Sequence, residues 1–372
     1  MVALMERWEC ELAIVGAGII GATAAYLACR AQPEWRVVTL ERSLAGQGAT
    51  AYSVGLEMPY GHTAFHRELS RSSLQFYTQL AGEIPTLARR PLPLFTVTHR
   101  DHADQVTACF HDPEVRRATP ADEKRLYHAY PDLRVAADEV ILAGCTAGYG
   151  FPATITTQIL DLLKHTSNFS LWEGTAVTNV FPEDDRFRLA LADGRELSTK
   201  RVLVAAGPWL PFTVGRELAQ MEQVRIKKIA ALHVDQAPPA GAPVVFFVDD
   251  DAFLLPVQEQ NKWLYSFRSD HWDCRPEISE LSISPEDRKL ALSILERHCP
   301  ALVERCCGGR VFCDAYGLDR KPLHRSLPGF TGYVVAGAGS GSGFRFAPAI
   351  AQYALSSWGE FTITNQHVRG AS

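Results

Sequence analysis

Leu12-Ala13-Ile14-Val15-Gly16-Ala17-Gly18-Ile19-Ile20-Gly21, followed further on by Arg36-Val37-Val38-Thr39-Leu40-Glu41, decides how the chain is read. A short apolar run meets three glycines at GxGxxG spacing, and the Ala-rich residues 22–29 carry a helix away from them. The pattern predicts a strand, a tight turn, a helix broken at Pro33, and a second strand ending at Glu41. Gly16 permits the turn, Gly18 lets the backbone approach a pyrophosphate, and Gly21 lets helix and strand pack closely. The helix N-terminus offers unpaired N–H groups and the positive end of its dipole to phosphates. Glu41 lies twenty residues beyond Gly21, where an acid can accept hydrogen bonds from ribose hydroxyls.

Around this unit the chain has 372 residues, too many for one simple core, so two domains are expected. Apolar residues make up 47%, enough to fill both. Lys and Arg number 37 against 42 Asp and Glu, for a net charge of -5, and no dense basic run or aromatic-basic interleaving occurs. Nucleic acid is therefore not an expected partner. The first strand begins within a dozen residues of Met1, and no apolar run approaches the ~18 residues of a membrane span, so a soluble, cytoplasmic protein is expected. The 9 cysteines are odd in number and scattered, which suits a reducing compartment. Cys306, Cys307 and Cys313 have neither a CxxC pair nor a matching His, so no metal site is expected.

After Glu41, residues 45–55 are small and suit close backbone approach to a ligand. Residues 63–88 have helical spacing, Pro91 and Pro93 punctuate the chain, and residues 94–98 read as a strand. A strand at 140–142 ends at the glycines of 144–150, and a helix covers 154–164. Strands at 175–180 and 187–191, the turn Asp193-Gly194 and residues 196–198 form a small antiparallel excursion. It returns through the apolar strand closed by Gly207. Residues 224–272 read as β structure, where alternation puts Trp263, Tyr265 and Phe267 on one face and Leu264, Ser266 and Arg268 on the other. The first face is either core or pocket wall. An amphipathic helix covers 285–304. Residues 333–348 then read as a buried strand, a glycine-rich loop and the first turn of a helix, where Pro348 is tolerated.

These pieces, in this order, resemble the flavoprotein amine-oxidase superfamily that includes D-amino acid oxidase, glycine oxidase, sarcosine oxidase and D-arginine dehydrogenase. The resemblance covers nearly the whole chain: the N-terminal fingerprint, the small-residue loop, the strand ending at Gly207 and the C-terminal glycine-rich loop. It implies an α/β plus antiparallel β fold, with a Rossmann-like FAD-binding domain built from discontinuous segments and a mixed α+β substrate domain. The cofactor segments are expected at 1–90, 145–215 and 318–372, and the substrate segments at 91–144 and 216–317. The implied cofactor contacts are Gly16, Gly18, Ile19 and Ile20 of the turn; Glu41 and Arg42; Gly48, Ala49 and Thr50; Val177; Ala206 and Gly207; and Gly341, Gly343 and Phe344. Arg345 falls where sarcosine oxidases carry a basic residue that holds the substrate carboxylate. Ala51-Tyr52 stand where the family usually has an arginine, and Tyr265 takes the place of the lysine that activates oxygen. Cys313 lies near the cysteine that bonds flavin covalently, one residue out of step; noncovalent FAD is expected.

The chemistry of Arg345 points the same way on its own. A cation in the first turn of a helix is disfavoured by the macrodipole by about 0.3–1 kcal/mol, so something anionic should offset it, and a carboxylate is the natural partner of a guanidinium. The expected function is oxidation of the C–N bond of an amino acid or related secondary amine to an imine, by hydride transfer to flavin N5. Tyr265 or Tyr316 would orient or deprotonate the ammonium, and oxygen or another acceptor would take the electrons. The rival readings are a dehydrogenase using a quinone-type acceptor and a non-catalytic redox-sensing flavoprotein.

Overall fold

A computed structural model describes residues 7–277, 281–359 and 361. Residues 1–6, 278–280, 360 and 362–372, which belong to the expected domain segments, lie outside the described residues. Two sheets organise the chain. The first contains β1 (Arg7–Val15), β2 (Val37–Leu40), β7 (Phe169–Trp172), β8 (Val177–Glu183), β9 (Arg186–Leu191), β10 (Glu196–Val204), β16 (Leu323–Leu327) and β17 (Phe330–Gly337). The second contains β3 (Leu56–Glu57), β4 (Arg89–His99), β5 (Arg116–Arg117), β6 (Glu139–Gly150), β11 (Arg225–Val234), β12 (Val244–Phe247), β13 (Ala252–Val257), β14 (Lys262–Phe267) and β15 (Cys306–Tyr316). The helices are α1 (Ile19–Ala31), α2 (Ala49–Tyr52), α3 (Ala64–Glu83), α4 (Ala103–Ala108), α5 (Pro120–Ala129), α6 (Pro152–Lys164), α7 (Arg216–Met221), α8 (Pro285–His298) and α9 (Gly343–Ser356).

The first sheet runs β16-β17-β10-β1-β2-β7, and its central pairs are parallel, as crossover connections through helices require. Its centre is continuously apolar because both faces are covered. Leu12, Ile14 and Leu203 face a core with α1, α3, α6 and α9, while Ala13, Val15 and Val204 face the other side. The antiparallel excursion is present as β8 and β9, and β9 joins β10 to become part of this same sheet.

The second sheet runs β15-β11-β14-β13-β12-β4-β6-β3 and is antiparallel except where β12 meets β4. It draws in β3 and the end of β6, residues that the sequence boundaries at 90 and 145 assign to the cofactor half. Pro91 and Pro93 do not end a segment before the strand: both lie inside β4, opposite Gly148 and Thr146. The parallel neighbour β12 begins only at Leu94, so neither proline faces a ladder on that side.

Pro348 differs from expectation too. It is the sixth residue of α9, beyond the first turn, and cannot donate to the Phe344 carbonyl four residues back. Tyr77 of α3 fills the gap, its hydroxyl donating to that carbonyl at 2.9 Å. An interior proline is thus accommodated by a tertiary hydrogen bond at the end of the helix nearest the site.

Candidate active site

The turn after β1 is built as its glycines demand. Gly16 has φ +105, and a Cβ there would stand 2.6 Å from the Ala205 carbonyl oxygen; one on Gly21 would stand 1.9 Å from the Gly16 oxygen. Gly18 differs, since a Cβ there meets only the Thr50 hydroxyl, at 3.1 Å, and the space beyond is a cleft. Glu41 accepts from the Ala17 N–H at 2.9 Å and the Ser43 N–H at 3.0 Å. Two bonds leave a carboxylate free lone pairs for further donors.

The cleft has a volume of about 550 Å³. Every residue named above as a cofactor contact, from Gly16 through Phe344, lines it. Its second wall comes from the other sheet, through Ile229, Ala231, Phe253, Ser266, Phe312 and Asp314, none of which the sequence reading singled out. Asp314 fixes the glycine-rich loop: its carboxylate accepts from the Gly341 N–H at 2.7 Å and the Ala315 N–H at 2.9 Å. Burial pushes its carboxyl up to about 6. The loop needs holding, because Ala338 and Ser340 have φ +52 without being glycine, a conformation that costs about 1–3 kcal/mol each.

Of the three residues expected to act on substrate none lines the cleft itself: Arg345 lines a neighbouring cavity, the Tyr316 hydroxyl stands against Gly341 of the loop, and Tyr265 lies in the core. Tyr265 is a correction. It is fully buried on the opposite face of β14, its hydroxyl donates to the Ala291 carbonyl of α8 at 3.0 Å, and Ser266 takes the cleft-facing position. The alternation is as read; α8 covers the aromatic face and makes it core. Tyr316 lies on the same face of β15 as Phe312 and Asp314. Its ring packs edge-on against Trp272 at 5.1 Å, and burial pushes its phenol above the ordinary range.

Arg345 donates from Nη2 to the Ser342 hydroxyl at 2.6 Å and lies over the Phe346 ring at 4.8 Å. Its Nε and Nη1 are buried without an acceptor. Burial pulls its guanidinium down to about 10, against the opposing pull of Tyr60 and Asp251. The surrounding imidazoles of His62, His66 and His111 are all held below their usual range, by burial first and then by neighbouring cations including Arg345. No anion answers Arg345 at hydrogen-bond distance among the described residues.

Arg345 is not the sole cation of this region. Lys227 shares the cleft face of β11 with Ile229 and Ala231 and is 6% exposed. Its Nζ sits 5.0 Å from the Trp272 ring centre and 5.5 Å from that of Tyr316. Burial lowers its ammonium from the ordinary lysine value. Tyr265, expected in the place of the lysine that activates oxygen, is core and does not face the cleft. Cys313 points the other way. It belongs to the core behind β15, its thiol donates to the Arg275 carbonyl at 3.7 Å, and burial pushes it up to about 12. Asp314 holds the cleft-facing place beside it.

Three features show that the cleft fits FAD. Trp209 lines it with a buried indole N–H that has no acceptor, and the Arg42 guanidinium lies over its ring at 4.2 Å. A Cβ on Gly48 would press on that ring at 3.2 Å, and one on Gly341 would reach the Tyr316 hydroxyl at 2.8 Å, so only glycine backbone leaves the cradle open. The N-terminus of α1 faces the same space, with its Ile19 N–H donating to the Thr50 hydroxyl at 3.1 Å. Among the described residues no three His, Cys, Asp or Glu side chains cluster as a metal site needs, and no helix is long and apolar enough to cross a membrane.

The fold is shared with solved flavoenzymes. Glycine oxidase from Geobacillus kaustophilus is 18% identical, with 95% of each chain covered and a TM-score of 0.76. L-proline dehydrogenase from P. horikoshii is 18% identical, covering 94% of this chain and 93% of its own, with a TM-score of 0.79. Iminodiacetate oxidase from Chelativorans sp. BNC1 is 19% identical, covering 93% and 94%, with a TM-score of 0.74. No curated protein matches the chain by sequence. The family model of FAD dependent oxidoreductases (DAO) matches residues 11–356, and the chain belongs to that family.

Proposed function

We propose that this FAD enzyme oxidises the C–N bond of an amino acid or a related secondary amine to an imine, with Arg345 receiving the substrate carboxylate. The observation that carries this is the guanidinium itself: Nε and Nη1 are buried with no acceptor, at the start of α9, where the dipole already disfavours a cation. A carboxylate would answer both donors. The similar structures named for glycine, proline and iminodiacetate support the same class, since each of those compounds carries a carboxylate next to its amine carbon. FAD supplies the redox chemistry by accepting the hydride of the substrate carbon at N5.

The chain's own residues do the positioning. The turn at Gly16 and Gly18, with the N-terminus of α1, would hold the pyrophosphate, Glu41 the ribose, and the loop braced by Asp314 the other end of the cofactor. Because Cys313 faces away from the cleft, the cofactor would be held without a thioether to it. Tyr316 would orient the amine. The electrons then pass to oxygen or to another acceptor such as a quinone.

Anaerobic bleaching of the flavin by a panel of amines tests the activity. Arg345→Met should raise KM by about one to two orders of magnitude for carboxylate-bearing amines, matching the ~1.5–3 kcal/mol of a charge-assisted pair. An equal rise for an amine lacking the carboxylate would refute the assignment.

A further inference from the structure

A second cavity of about 470 Å³ adjoins Arg345 and shares no lining residue with the cofactor cleft. That volume lies within the ~300–1,000 Å³ of small-molecule sites. We infer that this cavity seats the substrate's side chain, and that the substrate is an amino acid with an elongated side chain ending in a hydrogen-bond acceptor. This rests on the reading of Arg345 as the carboxylate anchor and names the substrate class for the same site.

Donors are left over at the two ends of this cavity. At one end are Nε and Nη1 of Arg345, buried and unanswered. At the other is Arg89, which meets the buried Glu57 carboxylate through Nε alone, at 3.0 Å to each oxygen. Neither Nη group of Arg89 has an acceptor among the described residues. The buried Arg345 donors cost free energy while unanswered, and a ligand with an acceptor at each end answers them and also engages the partly exposed Arg89 donors. Between them Met58 and Leu74 offer apolar surface that suits methylene groups, beside the polar Ser70, His111, Asp112 and Thr146. Of the polar groups along the way, the Ser70 hydroxyl donates to the Met58 carbonyl at 2.9 Å with His111 Nε2 3.3 Å from it, and the Asp112 carboxylate accepts from the Glu114 N–H at 3.0 Å. Burial holds the His111 imidazole below its usual range. A glycine-sized substrate would leave the space and the Arg89 donors unused.

The test uses the FAD-loaded enzyme and two carboxylates it cannot oxidise, acetate and adipamate, with binding read from the change in the flavin absorption spectrum. Adipamate should bind at least tenfold more tightly than acetate. Leu74→Trp fills the cavity from α3, and Arg89→Lys keeps a charge beside Glu57 while removing both Nη groups. Each should cut the adipamate-to-acetate affinity ratio at least tenfold, and two independent variants guard against one failing to fold. A wild-type ratio near one, or a ratio that neither variant alters, overturns the inference. If acetate binds and Arg345→Met abolishes that binding, the carboxylate anchor stands even when the side-chain cavity fails. If Arg345→Met changes neither affinity, the proposed function falls together with the cavity.

Discussion

Replacing Gly18 by valine separates cofactor binding from folding, because of what lies around that one residue. A Cβ on Gly18 touches only the Thr50 hydroxyl, at 3.1 Å, and its φ of -74 is open to any L-residue. The structural cost is at most the bond in which Ile19 N–H donates to the same hydroxyl at 3.1 Å, about 1 kcal/mol. For a chain this size that lowers the thermal midpoint by about 2 °C. The side chain enters the space into which the α1 N-terminus points. Loss of two charge-assisted N–H···phosphate bonds, each about 1.5–3 kcal/mol, weakens FAD binding by roughly 10² to 10⁴. Titrating apoprotein with FAD and following the quenching of flavin fluorescence gives Kd, and circular dichroism gives the midpoint. A Kd within threefold of wild type would refute the assignment of this turn to the pyrophosphate. Gly21→Ala should behave differently: its Cβ would stand 1.9 Å from the Gly16 oxygen, so the turn itself must move and stability falls with affinity.

Three other outcomes follow from particular contacts. After acid precipitation the flavin colour should stay in the supernatant, in wild type and in Cys313→Ala alike, because the thiol faces away from the cleft; colour in the wild-type pellet that the substitution abolishes would contradict this. Tyr77→Phe should cost about 1–3 kcal/mol in denaturant unfolding, since the Phe344 carbonyl freed by Pro348 is then buried without a donor; a loss below ~0.5 kcal/mol would show that the bond is idle. Lys228 and Asp287 form a buried ion pair at 2.5 Å, and Asp287 also accepts from the Ser284 N–H that opens α8. Burial alone would raise the Asp287 carboxyl, but Lys228 and the backbone N–H outweigh it and hold it below the ordinary value. A depressed native value means stability that is present above the unfolded value near pH 4 and lost as pH falls through the native one. Asp287→Asn should therefore cost about 3–5 kcal/mol at pH 7, with the difference from wild type shrinking below about pH 4; a difference constant down to pH 2 would disprove the linkage.

The dinucleotide turn was legible because its chemistry is local: three glycines, a strand and an acid fix it within thirty residues. The second wall of the cleft was not. In residues 263–268 the alternation shows two faces, but α8, some twenty residues later, decides that Tyr265 is core and Ser266 faces the cleft. Parity decides in the same way for Cys313 and Asp314. Lys227 was not legible because its strand gives no sign of what covers it; only the pairing of β11 between β14 and β15 puts it under Trp272 and Tyr316. Pro348 reads as a first-turn residue until Tyr77, 271 positions earlier, supplies the missing donor.

The parallel order of the first sheet also governs when the protein can come into being. β1 lies against β10 with Leu12 opposite Arg201, and β10 lies against β17 with Val202 opposite Tyr333. At ~5–20 residues per second, on the order of 20–60 s of synthesis separates β1 from the last of these strands. Hairpins of the second sheet, such as β13 with β14, have their partners at hand long before. Until β10 emerges, β1 offers an apolar strand with an open edge, the kind of segment that recruits other chains. FAD cannot stabilise that early nascent chain, because the cleft needs the glycine-rich loop at 338–343 to close it. Flavin supply during expression should therefore raise the yield of finished enzyme by trapping completed chains, while slower translation or a chaperone that shields β1 should act earlier and add to that gain.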